Sequence, residues 1–234
     1  NQINVKTIKL GKKDGYFTDS LPEKLVLRKC ASNVSSLLRS PLKQRNTIAL
    51  ELKTYLQEGT PYRIYKYDIK SFFESVDIED VNSSVDGLVG LSIHTKNLIR
   101  SYLDKFRSSF AEGLPRGVEI SPVLSNLILN SFDSEIENHG EVLYYSRFVD
   151  DIIILTSGKE NQKKFTSNLN RSLPSKLHFN HNKKKIINVE KRKKSTDFEE
   201  GVIVANFGFL GYSYSVVDTK VIKNSERAVY RRVK

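Results

Sequence analysis

The sequence predicts an α+β fold of antiparallel strands with packed helices, and three observations predict it. "YRIYKYDI", Tyr62 to Ile69, is aromatic and β-branched and reads as a strand running into Asp68. "YYSRFVDDIIIL", Tyr144 to Leu155, reads as two strands that meet near Val149-Asp150-Asp151. Two further stretches place apolar residues at helical spacing: Ile48, Leu52, Tyr55 and Leu56 in one, Val123, Leu124, Leu127, Ile128 and Phe132 in the other.

Taken in order, "KLGKKDGYFTD" within residues 1–20 mixes lysines with Gly11 and Gly15 and reads as a basic hairpin or loop. A helix runs from Pro41 onward until Gly59-Thr60-Pro61 stops it. After the strand to Asp68, a mixed and mainly helical region reaches about Arg107. Gly113 and Gly117 flank Leu114-Pro115-Arg116, allowing tight turns and close approach of a flat partner. Ser121 is the expected N-cap of the next helix, with Pro122 in its first turn. Beyond the Tyr144–Thr156 hairpin, strand-like pieces alternate with basic clusters at Lys183 to Lys185, Lys191 to Lys194 and Arg227 to Arg232. No internal repeat or low-complexity linker interrupts the chain.

Composition narrows the partners. The 234 residues can bury a sizeable core, and 12 Phe and 11 Tyr supply its bulk. A net charge of +11 favours a polyanion, nucleic acid before an anionic membrane surface. No run of 18 apolar residues and no signal-peptide pattern is present, so no membrane partner is expected. A single cysteine, Cys30, fits a reducing cytosol. The chain contains no Met, so it reads as processed or excerpted.

The aspartates carry the chemistry. Asp150 and Asp151 are adjacent like charges in an otherwise apolar run, and carboxylates are rarely buried unless paired or bound to metal. Magnesium takes hard oxygen ligands, and two such ions can hold both the attacking and the leaving oxygen of a phosphoryl displacement. That arrangement needs a third acidic group from another strand, and Asp68 is the candidate. An Asp at a strand end and an Asp-Asp turn are each common surface features. Together, in strand contexts of one basic chain, they point to metal-assisted phosphoryl transfer.

The order "YDIKSFF", "GLPRGVEISPVLSNL", "RFVDD", "LHFNHNKKK", "FGFLGY" resembles motifs A to E of the right-handed polymerase palm. More narrowly it resembles bacterial reverse transcriptases of the group II intron, retron and abortive-infection (defence) kinds. The likeness runs from about Arg45 to Tyr212. It implies a palm with partial fingers: a fingers-like region over residues 1–61, a palm over 62–212 with some fingers elements between motifs A and B, and a basic tail over 213–234. No thumb is evident after Tyr212. The retron signatures "NAxxH" and "VTG" are not found, and "FVDD" in place of "YADD" leans toward the defence enzymes.

Residue by residue, the resemblance implies that Asp68, Asp150 and Asp151, with the backbone carbonyl of Ile69, hold two magnesium ions, manganese standing in. Lys70 and Ser71 would lie near the triphosphate. Phe72 and Phe73 follow, with Phe73 at the gate where an aromatic ring collides with a ribose 2′-hydroxyl; both rings also suit a core. Arg116, where relatives often carry Gln, beside Gly117, would meet either a phosphate or a base. Lys183 would protonate the leaving pyrophosphate. Phe209, Leu210, Gly211 and Tyr212 would form the primer grip, for which a core strand with glycine kinks is nearly as good a reading. The fingers arginine would be Arg39 or Arg45.

The function implied is RNA-directed DNA synthesis: dNTPs added to a primer 3′-hydroxyl on an RNA template, in the bacterial cytoplasm, in antiphage defence. The primer is DNA or RNA, and there is room for a dedicated non-coding RNA, a partner protein or an oligomer. Alternatives are untemplated or protein-primed DNA synthesis, a non-catalytic module that binds nucleic acid, and an RNA-templated RNA polymerase, which the Phe73 gate disfavours.

Overall fold

The computed structural model describes residues 5–11, 13–38, 43–190, 202–223 and 226–233. It is an α+β chain that forms two compact units, one of residues 1–42, 69–134 and 171–178, the other of 43–68, 135–170 and 179–234. Neither unit is contiguous in sequence.

In the first unit, β1 (Val5–Leu10) and β2 (Lys13–Thr18) form an antiparallel hairpin closed at Gly11, whose φ is +65°. Helix α1 (Leu21–Ser35) follows. The Ser20 hydroxyl caps it by accepting from the Glu23 amide, and Glu23 in the first turn complements the helix dipole. Helices α3 (Phe72–Ser75), α4 (Ile78–Asp86) and α5 (Ile93–Ser109) come next. Buried Leu27 and Val34 of α1, Val81 and Val85 of α4, and Ile99, Leu103 and Phe106 of α5 lie at helical spacing and supply the unit's core. Each fully buried side chain of this kind contributes roughly 1.5–3 kcal/mol before chain entropy is subtracted.

Helix α6 (Ser121–Glu137) starts one residue earlier than its sequence signal. The Ile120 carbonyl accepts from the Leu124 amide, so Ile120 stands at the cap position. Ser121 is not the cap: its hydroxyl donates 2.7 Å to the Pro115 carbonyl and ties down the preceding loop. The buried stripe also differs from expectation. Leu129 is fully buried while Ile128 is only half-buried.

The second unit holds the sheet that matters most here. Strands β3 (Tyr62–Asp68), β4 (Val142–Phe148), β5 (Asp151–Thr156) and β6 (Lys185–Val189) form a four-stranded antiparallel sheet in the order β4-β5-β3-β6. Helix α2 (Arg45–Leu56) packs with it through buried Ile48, Leu52 and Leu56, against Tyr62, Ile64, Ile153 and Leu155. Tyr55, expected on that face, is 44% exposed and stacks instead on the Tyr144 ring at 4.7 Å. On alternate positions, Tyr65 and Tyr67 meet Phe165 of α7 (Gln162–Ser172) and Phe179 respectively. Both faces of β3 are thus covered, which is why its sequence is nearly continuously bulky instead of alternating with polar residues.

Strands β7 (Val202–Phe209), β8 (Tyr212–Lys223) and β9 (Glu226–Val233) form a second antiparallel sheet in the order β7-β8-β9. The described residues after Tyr212 therefore belong to two paired strands. Phe207, Phe209, Tyr214 and Val216 join the same core as α2 and β3. Among the described residues no helix is long and apolar enough to cross a membrane.

Candidate active site

Strand register builds the site. β3 and β5 are antiparallel with Asp68 directly opposite Asp151, and Phe148 opposite Asp151 on the other side. Residues paired across a sheet point to the same face, so two carboxyl groups stand together at one end of it. Asp150 and Val149 form the two-residue turn between β4 and β5. Val149 has φ +58°, a left-handed conformation that costs a β-branched residue on the order of 1–3 kcal/mol. The Arg147 guanidinium donates 3.1 Å to the Val149 carbonyl and helps hold that turn.

Asp68 is 5% exposed and held on three sides. The Asn180 backbone amide donates 2.7 Å to its carbonyl, the Asn180 side-chain amide donates 3.1 Å to Oδ1, and the Lys183 ammonium donates 2.7 Å to Oδ2. The Lys183 ammonium is held above its ordinary range, first by that hydrogen bond, then by the charges of Asp68, Asp151 and Asp150. The Asp151 carboxyl is pushed up, first by burial and then by Asp150 and Asp68, with Lys66 and Lys183 opposing. The cluster is short of positive charge.

The donor set suits a hard divalent cation. It offers carboxylate oxygens, it already draws an ammonium onto Asp68, and its second carboxyl is disfavoured as an anion. Among the described residues no three His, Cys, Asp or Glu side chains form a ready-made metal cage. Asp68, Asp150 and Asp151 are thus not gathered into one such cage.

Two lysines extend the same face. Lys66 precedes Asp68 by two on β3 and pairs with Lys185 of β6. Lys66 donates 2.6 Å to the Gly208 carbonyl and Lys185 donates 2.9 Å to the Asn206 carbonyl, so both are fastened to β7. Lys184 lies 5.4 Å from the Tyr67 ring centroid. Each ammonium of the Lys183–Lys185 cluster thus has a contact within the second unit. Lys191–Lys194 and Arg39 lie outside the described residues.

The β7–β8 hairpin turns at Leu210-Gly211, with Phe209 opposite Tyr212 and φ of +52° and +85°, the two left-handed positions of a tight hairpin turn. Phe209 is buried, while Tyr212 is 43% exposed and donates 2.7 Å to Asn46 Oδ1. Arg45, next to Asn46 at the start of α2, places its guanidinium 4.7 Å from the Phe148 ring centroid. A cleft of about 520 Å³ opens at the opposite end of β3, lined in part by Arg63 and Asn188. That guanidinium is engaged by Glu160 and Asn188.

In the first unit, Phe72 and Phe73 are both buried, at 1% and 8% exposure. Ser71 adopts a left-handed conformation, φ 47° and ψ 46°, before α3. The Lys70 amide donates 2.9 Å to the His178 carbonyl. Arg116 is paired with Glu74 at 3.0 Å, and Gly117, at φ +94°, lets its loop approach the Tyr16 backbone. Burial alone would raise the Glu74 carboxyl. Its own backbone amide, Arg116 and Lys13 outweigh this and hold it low.

The family model for reverse transcriptase (RNA-dependent DNA polymerase) matches residues 22–214. The chain belongs to the reverse transcriptase family. The Retron Ec83 reverse transcriptase of Escherichia coli is 26% identical over 145 residues, 58% of this chain and 41% of that protein. The solved telomerase of Candida tropicalis, in complex with a TWJ fragment of telomeric RNA, matches at a TM-score of 0.58 and 16% identity, over 80% of this chain and 41% of that one. Candida albicans telomerase matches at 0.54 and 13%, over 84% and 36%. These likenesses show a shared palm-type fold, and the chain spans about two fifths of the length of the relatives it matches. A retron enzyme is among them although this reverse transcriptase sequence lacks the two retron signatures.

Sequence reasoning missed Asn180, Lys66, Lys185 and Glu74. Lys66 had a signal: on a strand whose face carries Ile64 and then Asp68, a lysine between them is out of place unless it has a partner. Asn180, in "HFNHN", had none, because its role depends on a contact with Asp68 far along the chain.

Proposed function

We propose that this chain is the catalytic portion of an RNA-directed DNA polymerase that adds dNTPs to a primer 3′-hydroxyl on an RNA template. One observation carries the reading: Asp68 and Asp151 stand opposite each other in register, with the Lys183 ammonium on Asp68.

Asp68, Asp150, Asp151 and the Ile69 carbonyl are the groups that would hold two magnesium ions. When bound, such ions lower the pKa of the primer hydroxyl and stabilise charge on the phosphorus. The protein's own groups do the rest. Asn180 fixes the Asp68 carboxylate, so its oxygens need no reorganisation when substrate arrives. Lys183, charged at neutral pH, is the group to hand a proton to the departing pyrophosphate. Phe73 excludes a ribose 2′-hydroxyl by contact. Lys70 and Ser71 face the triphosphate, and Phe209 to Tyr212 support the primer strand. The net charge of +11 suits a template–primer duplex, and an associated RNA. The "FVDD" form of the Asp-Asp hairpin supports a place in antiphage defence, which plaque counts on cells with and without the gene would check.

The test is primer extension with magnesium on a primed RNA template. Asp150→Ala and Asp151→Ala should each abolish incorporation while the protein still melts cooperatively. Full activity in either variant refutes the assignment. Incorporation of one nucleotide type regardless of template would instead mark untemplated synthesis.

A further inference from the structure

Arg116 does not offer its charge outward. Its guanidinium donates to Glu74 through Nε at 3.3 Å and Nη2 at 3.0 Å, both onto Oε1, with Nη2 also 3.2 Å from Oε2. Its carbon centre lies 5.0 Å from the Phe73 ring centroid. Glu74 directly follows Phe73, so the carboxylate that anchors the guanidinium is carried by the ring's own chain neighbour. Lys13 adds a second cation on Glu74 Oε2, at 3.3 Å.

The backbone beneath the ring is fixed as well. The Leu114 amide donates 2.8 Å to the Phe73 carbonyl. Gly113, at φ +85°, lets the two segments touch: a Cβ there would lie 2.3 Å from that carbonyl oxygen. The Tyr16 amide donates 2.7 Å to the Arg116 carbonyl, which ties the β1–β2 hairpin to the same loop.

We infer that Arg116 is a positioning residue for sugar discrimination: Glu74 holds its guanidinium against the Phe73 ring, and that contact fixes the orientation of the gate. The inference rests on reading Phe73 as the group that meets the sugar. A planar guanidinium serves here as a lysine cannot, since it satisfies a carboxylate through two nitrogens and lies against an aromatic ring at once. Its pairing with Glu74 also leaves it poorly suited to binding a phosphate or reading a base. A gate must reject one hydroxyl by contact, so small freedom in the ring is enough to admit a ribonucleotide.

The experiment measures kcat/KM for one dNTP and its matching rNTP on a primed RNA template, with the purified protein and magnesium. It compares the wild type with Phe73→Ala, Arg116→Gln, Arg116→Lys, Glu74→Gln and the exchange Arg116→Glu with Glu74→Arg. Phe73→Ala should collapse discrimination. Arg116→Gln and Glu74→Gln should each lower it about tenfold, equivalent to about 1.4 kcal/mol, chiefly through a lower KM for the rNTP. Arg116→Lys should fall between. The exchange keeps an ion pair but removes the cation from the ring, so it should melt like the wild type and still discriminate poorly. Glu74→Gln, nearly unchanged in volume, carries the test if an Arg116 variant does not fold.

Wild-type discrimination in Arg116→Gln and Glu74→Gln, beside a relaxed Phe73→Ala, overturns the inference and leaves the gate standing. So does a KM raised equally for both nucleotides, which would assign Arg116 to a phosphate, or full discrimination in the exchange. Unchanged discrimination in Phe73→Ala removes the gate itself.

Discussion

Replacing Lys183 separates catalysis from stability. Its ammonium sits 2.7 Å from Asp68 Oδ2, with the lysine side chain 62% exposed and the aspartate 7%. A hydrogen bond between charged groups is worth roughly 1.5–3 kcal/mol in mutational series. Solvent screening of so exposed a lysine reduces that to about 1 kcal/mol. Lys183→Met should therefore lower the melting temperature by only about 2–4 °C. As a proton donor to pyrophosphate, by contrast, Lys183 should contribute about 10²–10⁴-fold to turnover. Met also removes a cation that competes for Asp68, so apparent magnesium affinity should rise about fivefold for the same 1 kcal/mol. Lys183→Arg keeps the pair but holds its proton too tightly to be a good acid, so it should restore stability without restoring rate. Single-turnover incorporation, calorimetric metal titration and thermal melting read the three effects separately. A turnover within about threefold of wild type in Lys183→Met would exclude Lys183 as the proton donor, because general-acid catalysis requires a larger loss.

Three further outcomes follow from the same geometry. Burial first, then Asp150 and Asp68, raise the Asp151 carboxyl, so its ionised form costs stability once the pH passes its ordinary range, and the full cost is present above its raised value. Asp151→Asn should thus abolish incorporation yet raise the melting temperature in chelator at neutral pH, by about 2–4 °C per kcal/mol relieved, with the gain shrinking as the pH falls below the raised value and gone below about pH 4; an unchanged or lower melting temperature contradicts this. Gly113→Ala should cost about 2–4 kcal/mol in urea denaturation, since its Cβ meets backbone 2.3 Å away at a left-handed φ. Lys66→Met, which loses the 2.6 Å bond to Gly208, should cost about 1 kcal/mol and speed amide exchange in Phe207–Tyr212. Exchange unchanged there would mean the lysine does not fasten the hairpin.

Much of the fold was legible because its signals are local. The bulky run to Asp68, the hairpin at Val149-Asp150 and the helical stripes of α2 and α6 each declare themselves within about ten residues, the scale at which periodicity works. Asp68 and Asp151 could be named from sequence, but their direct opposition could not, since register between distant strands is set by the packing of the whole sheet. Ser121 misled because a serine before a helix usually caps it, and here its hydroxyl serves the Pro115 carbonyl. Lys183–Lys185 reads in sequence only as a basic cluster, because the Asp68, Tyr67 and Asn206 groups that meet its ammonium groups lie far away along the chain. Arg116 looked like a substrate cation because Glu74 lies too far back in the sequence for local pattern to join them.

The proposed polymerase centre rests on the carboxylates at the ends of β3 and β5. Its most direct test incubates the purified protein with a primed RNA, magnesium and each labelled dNTP in turn, and sequences the product. The expected product is DNA complementary to the template, abolished by chelation and by Asp68→Asn. DNA products that persist in Asp68→Asn, or none from the wild type under conditions where it binds the primed RNA and the metal, would contradict it.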